Sequence, residues 1–181
     1  MTLRVSEQIA LELIDDQHAA PLLAILDSNR LHLREWLSWV DYMRTVDDFK
    51  RYIAICKKKH EDKMELGFVI LHNNQLSGRI GLHYFDHNNK ICSIGYWLDE
   101  QQTGKGIITK ACNHLIHYAF TELSFNRIEI KCGVGNTKSA AIPQRLGFTK
   151  EGVLRQAEWV NGKAIDLYLY SLLKEEFKPT S

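Results

Sequence analysis

Three apolar, β-rich runs separated only by short polar turns constrain this chain more than any other feature. Leu66 to Leu71 (LGFVIL), Ser77 to Phe85 (SGRIGLHYF) and Ile91 to Leu98 (ICSIGYWL) are joined by His72-Asn73-Asn74-Gln75 and by Asp86 to Lys90. Connections that short cannot hold a crossover helix, so the runs form an antiparallel meander. Asn and Asp in the joints are turn formers because their side chains bond nearby backbone and tolerate left-handed conformations.

The flanks add helices and more strands. Ala10 to Ile14 (ALELI) alternates like a strand, and Asp15 to Leu37 is helical, with Leu22, Leu23, Leu26, Arg30 and Leu33 at helical spacing. A second helix starts near Thr45, where Thr45-Val-Asp-Asp48 is a capping-box pattern. It ends in Lys57-Lys58-Lys59-His60, which suits the negative end of a helix dipole; a phosphate site is the other reading of these lysines. After the meander, Gly104 opens a helix running through Ala119. A strand follows at Arg127 to Gly133, then a short helix after Asn136 that ends at Leu146-Gly147. Thr149 to Val160 and Ile165 to Leu172 flank Asn161-Gly162, a strong hairpin signal. The order β-α-α-β-β-β-α-β-α-β-β gives an α+β fold: a mixed, mostly antiparallel sheet flanked by helices, with a parallel pair across the Gly104 helix.

Composition narrows the class. The chain has 181 residues, 45% hydrophobic, which supports one packed domain over residues 1–181. Its net charge of +1 argues against a nucleic-acid-coating role. The longest apolar run, Ala19 to Leu26, is far short of the ~20 residues that span a bilayer, and Met1 to Asp16 lacks a signal-peptide core. Cys56, Cys92, Cys112 and Cys132 are widely spaced, so buried reduced thiols and a cytoplasmic setting are expected. His114 and His117 lack a carboxylate at ligand spacing, and His60-Glu61 is followed by Met64 where H-E-x-x-H needs histidine, so no metal is expected.

One segment carries ligand chemistry. Thr103-Gly-Lys-Gly-Ile-Ile108 lies between a strand end and a helix start. Glycines there let the backbone approach an anion, and the amides of Thr103, Gly104, Lys105, Gly106 and Ile107 can form a nest for phosphate or pyrophosphate. The spelling matches neither a Walker A loop nor a Rossmann loop, whose third glycine is replaced by Thr109.

This loop, together with Gly135-Asn-Thr-Lys-Ser-Ala-Ala-Ile-Pro-Gln-Arg-Leu-Gly-Phe148, resembles the GNAT superfamily of acetyl-CoA-dependent N-acetyltransferases. The family's loop is usually spelled [Arg/Gln]-x-x-Gly-x-[Gly/Ala]. Aligned on Gly106, this chain has Thr103 and Ile108 at the first and last of those positions. A finer resemblance, to the RimJ/RimL-type branch that acetylates N-termini of ribosomal proteins, rests on Asn29-Arg-x-His-Leu-Arg-x-Trp-Leu-x-Trp39, Gly95-Tyr-Trp-Leu98, Asn136-x-x-Ser139, Ile142-Pro-x-x-Leu-Gly-Phe148 and the end Tyr170-Ser-Leu-Leu-Lys174.

The resemblance implies transfer of acetyl from acetyl-CoA to an amine, most naturally a protein N-terminus. A small amine or aminoglycoside is the first alternative and a non-catalytic CoA-binding module the second. It places Ser139 beside the leaving thiolate, Glu158 as general base, Asn136 on the pantetheine arm and the edge of Trp97-Leu98 against the pantetheine amides. Trp36 and Trp39 then contact the acceptor. Each has a plainer reading: Ser139 as a helix cap, Glu158 as a solvated strand residue, the tryptophans as packing. Gly95 is read as a bulge that opens the cleft. Arg30, Arg34 and Arg44 favour an acidic protein partner. Direct nucleic-acid or membrane partners are not expected, and a homodimer is compatible with the sequence.

Overall fold

The computed structural model describes residues 1–178. Among them the order is β1 (Thr2–Arg4), β2 (Ile9–Leu13), α1 (Ala19–Leu33), α2 (Val46–Glu61), β3 (Leu66–His72), β4 (Gln75–Asp86), β5 (Ile91–Leu98), α3 (Ile107–Thr121), β6 (Arg127–Gly133), α4 (Thr137–Arg145), β7 (Thr149–Val160) and β8 (Lys163–Leu173). The strands form one sheet ordered β1-β2-β3-β4-β5-β6-β8-β7, antiparallel throughout except for β5 and β6. The α+β reading, the meander and the parallel pair across α3 are therefore present.

Local chemistry set several boundaries. At the start of α2 the Thr45 hydroxyl accepts from the Asp48 amide at 3.2 Å, and the Asp48 carboxylate accepts from the Thr45 amide at 2.8 Å. Asn161 and Gly162, with φ of 50° and 72°, close the β7–β8 hairpin as a type I′ turn, whose hand matches the strand twist. The first helical stretch is shorter than the pattern indicated. His18 closes a separate 3-10 turn over Asp16–His18 before α1, and α1 stops at Leu33. The short first strand β1, which pairs with β2, was not anticipated. Likewise α3 begins at Ile107 and not at Gly104, because Gly106 adopts φ 73° and serves as the N-cap.

The sheet separates two cores. One face packs Phe68, Ile70, Ile80, Leu82 and Ile94 against Ile108, Ala111, Leu115 and Ala119 of α3. The other packs Val69 and Trp97 against Leu22, Leu26, Phe49 and Ile53 of α1 and α2. All four cysteines are free thiols inside the structure. Lys57 pairs with Asp15 and Asp16, Lys58 with Asp62 and Lys59 with Glu65, so the lysines at the end of α2 are engaged in ion pairs. No helix among the described residues is long and apolar enough to cross a membrane.

Candidate active site

The parallel pairing of β5 and β6 covers Ile91–Ser93 against Arg127–Glu129 and stops there. Beyond it the two strands diverge, and the side of β5 that faced β6 is left without a strand partner through Trp97 and Leu98. The divergence does not come from a bulge at Gly95, which pairs with Gly81 in unbroken register; the irregularity in this hairpin lies between His83 and Asp86. β6 pairs along its whole length with β8 through its other edge, so beyond Glu129 the edge of β6 that faced β5 is open as well.

On the α3–α4 side of this gap lies the glycine loop. Gly104 and Gly106 have φ of 79° and 73°, and a Cβ on either would meet nothing within 4 Å, so the loop borders open space. The first backbone bond into α3 runs from the Lys110 amide to the Gly106 carbonyl at 3.0 Å. The amides of Ile107, Ile108 and Thr109 are thus the orphan donors of a helix start. Thr103 departs from expectation. Its amide (3.1 Å) and its hydroxyl (2.7 Å) both donate to the Glu100 carbonyl, so both donors are already engaged within the turn. Buried Asn29 of α1 fixes the turn before the loop, donating to Asp99 Oδ1 at 3.1 Å and accepting from the Glu100 amide at 2.9 Å. Lys105 bonds Gln102 at 2.9 Å.

Asn136 is the N-cap of α4, and its Oδ1 accepts from the Ser139 amide at 3.1 Å. Ser139 is therefore not the cap, which leaves its hydroxyl for another partner. That partner is Tyr96 of β5, whose phenolic oxygen lies 3.3 Å from Ser139 Oγ and donates to the Ser139 carbonyl at 3.2 Å. Burial holds the Tyr96 phenol well above its ordinary range, so it stays a donor. Sequence reasoning did not single out Tyr96, although it stands inside the quoted Gly95-Tyr-Trp-Leu98.

On the α1–α2 side the gap opens into a cavity of about 690 Å³. Trp39, Trp97, Tyr52, Arg79, His83 and Glu158 are among its lining residues. Glu158 reaches it because β7 slips register between Leu154 and Glu158 against β8, and the Gln156 amide donates to Asp166 Oδ1 at 2.7 Å in the bulge. Burial raises the Glu158 carboxyl above its usual range. Trp39 and Trp97 pack with ring centroids 6.1 Å apart. Trp36 does not line the cavity. It lies against the β6–α4 connection, where a Cβ on Gly133 would come within 2.8 Å of its ring.

Beneath Arg79 and His83 lies a feature no local reading supplied. Gly67, Gly81 and Gly95 stand side by side on three adjacent strands. The row leaves room for two long side chains to lie across the sheet. A Cβ on Gly67 would come within 2.5 Å of Arg79 Nη2, and one on Gly81 within 2.8 Å of His83 Nε2. The glycines recur every 14 residues in the sequence, and a glycine inside a strand marks close approach, so the signal was available. His83 Nδ1 lies 3.5 Å from Glu65, which also accepts from Lys59 at 2.9 Å. Burial alone would raise the Glu65 carboxyl, but the bonds from His83 and Lys59 prevail and hold it at about 2.

A glycine loop at a helix start, a strand edge left open by a split sheet, and a half-buried hydroxyl pair beside that edge are the three features of the cofactor-facing side. Residues 8–149 match the Acetyltransferase (GNAT) domain. The chain belongs to the GNAT acetyltransferase family. Over 178 residues it is 38% identical to the putative ribosomal N-acetyltransferase YdaF of Bacillus subtilis, covering 98% of this chain and 97% of that protein. It is 33% identical over 170 residues to the ribosomal-protein-serine acetyltransferase of Escherichia coli, covering 94% and 95%. Among solved structures, a RimL ribosomal L7/L12 α-N-protein acetyltransferase in complex with coenzyme A superposes with a TM-score of 0.92 at 28% identity, covering 96% of this chain and 98% of that one. In this GNAT chain the basic residues that had suggested an acidic partner are used internally. Arg30 donates to the carbonyls of Val40 (2.8 Å) and Met43 (2.6 Å), Arg34 pairs with Asp41 at 3.0 Å, and Arg44 donates to the Asp41 carbonyl at 2.8 Å.

Proposed function

We propose that the chain transfers the acetyl group of acetyl-CoA to the N-terminal α-amino group of a protein, with a ribosomal protein as the natural acceptor. The observation that carries this reading is the split between β5 and β6. It leaves Tyr96 lining the cavity that holds Glu158 while its hydroxyl lies 3.3 Å from Ser139 Oγ, with the glycine loop at the start of the neighbouring helix α3. The names of the relatives at 38% and 33% identity support the acceptor class.

In this reading the amides of Gly104 to Ile107 receive the pyrophosphate, and the free edge of Trp97-Leu98 receives the pantetheine amides as an added strand. Asn136 uses Oδ1 to cap α4, and its Nδ2 has no partner among the described residues, so Nδ2 is the atom offered to the pantetheine arm. Glu158 takes the proton as the amine attacks the thioester carbonyl. Ser139, its hydroxyl held by Tyr96, stabilises the departing thiolate. Trp39 and Trp97 shape the wall for the acceptor's first residues. A polyamine acceptor is disfavoured because the cavity sets Arg79, Lys131 and His83 around a single lining carboxylate, Glu158.

The direct test is incubation with labelled acetyl-CoA and peptides bearing free or blocked N-termini, read by mass spectrometry. Label on free N-termini alone is expected. Label on spermidine or an aminoglycoside and on no peptide would replace this reading by the small-amine one, and no transfer to any amine would leave only CoA binding.

Two further outcomes are expected. CoA at about 100 times its Kd should add ~2.7 kcal/mol, a Tm rise of about 5–10 °C in a chain of this size. Gly106→Val should abolish that rise. It should also lower the Tm of the free protein, because φ 73° is strained for a branched side chain. Equal stabilisation of the variant by CoA would remove the loop from the site. The two tryptophans should separate. Trp39→Ala raises the acceptor KM, whereas Trp36→Ala acts on stability, with a Tm loss on the order of 5–10 °C and an unchanged acceptor KM. An acceptor KM raised only by Trp36→Ala would reverse that assignment.

A further inference from the structure

Arg79 is 8% exposed, yet no carboxylate among the described residues pairs with it. Its Nε is buried without a hydrogen bond, and Nη2 reaches only the Cys56 sulfur at 3.8 Å. The guanidinium sits 4.8 Å from the centroid of the Tyr52 ring, a contact that orients it without neutralising it. The nearby carboxylate of Glu65 is occupied by Lys59 and His83. Glu158 lines the same cavity but forms no ion pair with Arg79. A buried charge left unpaired is costly, and an apolar side chain of similar length would serve the fold better. The glycine at position 67 leaves room for the guanidinium, since a Cβ there would collide with it.

We infer that Arg79 is a specificity-determining group that binds a carboxylate of the acceptor, so that the preferred acceptor carries an acidic group within a few residues of its reactive amine. The inference rests on the acceptor reading above and deepens it. The cavity then presents two unpaired charges of opposite sign, Glu158 for the amine and Arg79 for the acid. The planar guanidinium matches a carboxylate by paired N–H donors, which an ammonium does not. Two sources share this chemistry: an Asp or Glu side chain near the N-terminus, or the α-carboxylate of a very short acceptor.

The test uses short peptides amidated at the C-terminus, with a single Asp or its isostere Asn at position one, two or three, together with a dipeptide as free acid and as amide. In the wild-type protein at least one Asp/Asn ratio of kcat/KM, or the acid/amide ratio, should be about tenfold or more. The position, or the dipeptide pair, identifies the source. In Arg79→Met that ratio should collapse to within about twofold of one, while the Tm holds or rises because the unpaired charge has gone. Arg79→Lys, which keeps charge but loses the fork, should retain part of the preference and guards against misfolding of the first variant. Ratios near one throughout the wild-type series, or a preference that survives in Arg79→Met, overturn the inference while leaving N-terminal acetylation standing. Absence of acetylation on every peptide overturns the acceptor reading itself, and the inference with it.

Discussion

Glu158→Gln is expected to lower kcat/KM by ~10²–10⁴-fold near neutral pH, the usual range for loss of a general base. The loss should shrink as pH rises. An N-terminal amine has a pKa of about 7.7–8.0, so toward pH 9 it arrives already neutral and the base has little left to do. The wild-type profile should carry a second signature. Glu158 must be ionised to accept a proton, and burial raises its carboxyl above the ordinary value of 4.5. Activity therefore falls as pH drops through that raised value, at a higher pH than an exposed glutamate would dictate. Glu158→Gln should lose this limb and keep only the limb of the amine. Measuring kcat/KM from about pH 4.5 to 9.5 on a peptide with a free N-terminus checks both points. A variant profile parallel to wild type and within about threefold of it would retire Glu158 as the base.

Ser139→Ala should cost ~10²-fold or more in kcat, the scale for losing one hydrogen-bond donor aimed at developing negative charge. Raising the pH should not restore it, because the defect lies in the leaving group and not in the amine. The contact between Tyr96 and Ser139 adds a second measurement. Tyr96→Phe removes the hydroxyl that lies 3.3 Å from Ser139 Oγ, so its loss should overlap that of Ser139→Ala. The double variant should be little worse than the worse single one, as expected for groups acting as a unit. Fully multiplicative losses would show that Tyr96 and Ser139 act separately. A Ser139→Ala defect that recovers at pH 9 would remove Ser139 from the thiolate.

The contrast between these two residues shows where local sequence information stops. Both were legible as candidates from a resemblance carried by short words. What neither word contained was the neighbour that makes the residue useful. Ser139 is freed for chemistry because Asn136, three residues earlier, takes the capping role, and it is held by Tyr96, 43 residues away in sequence. Glu158 is turned into the cavity by a register slip against β8, and no pattern within β7 announces that slip.

What the sequence determined by itself is what nearest neighbours in the chain can decide. The polar turns of the meander, the Thr45–Asp48 cap, the Asn161-Gly162 hairpin and the glycine loop before α3 each depend on a few adjacent residues and on backbone preferences that hold in any context. The tertiary structure alone decided the rest. It ended the β5–β6 pairing after Ser93, and it sent Trp39 to the cavity and Trp36 to the back of Gly133. It used Arg30, Arg34 and Arg44 on carbonyls and carboxylates of their own segment and left Arg79, unremarkable in the sequence, as a buried cation without an ion pair among the described residues. The physical reason is that strand register and the pairing of buried charge are settled between segments far apart in the chain. A residue's partners there depend on which strands lie alongside, and a shift of one position in register sends its side chain to the other face of the sheet.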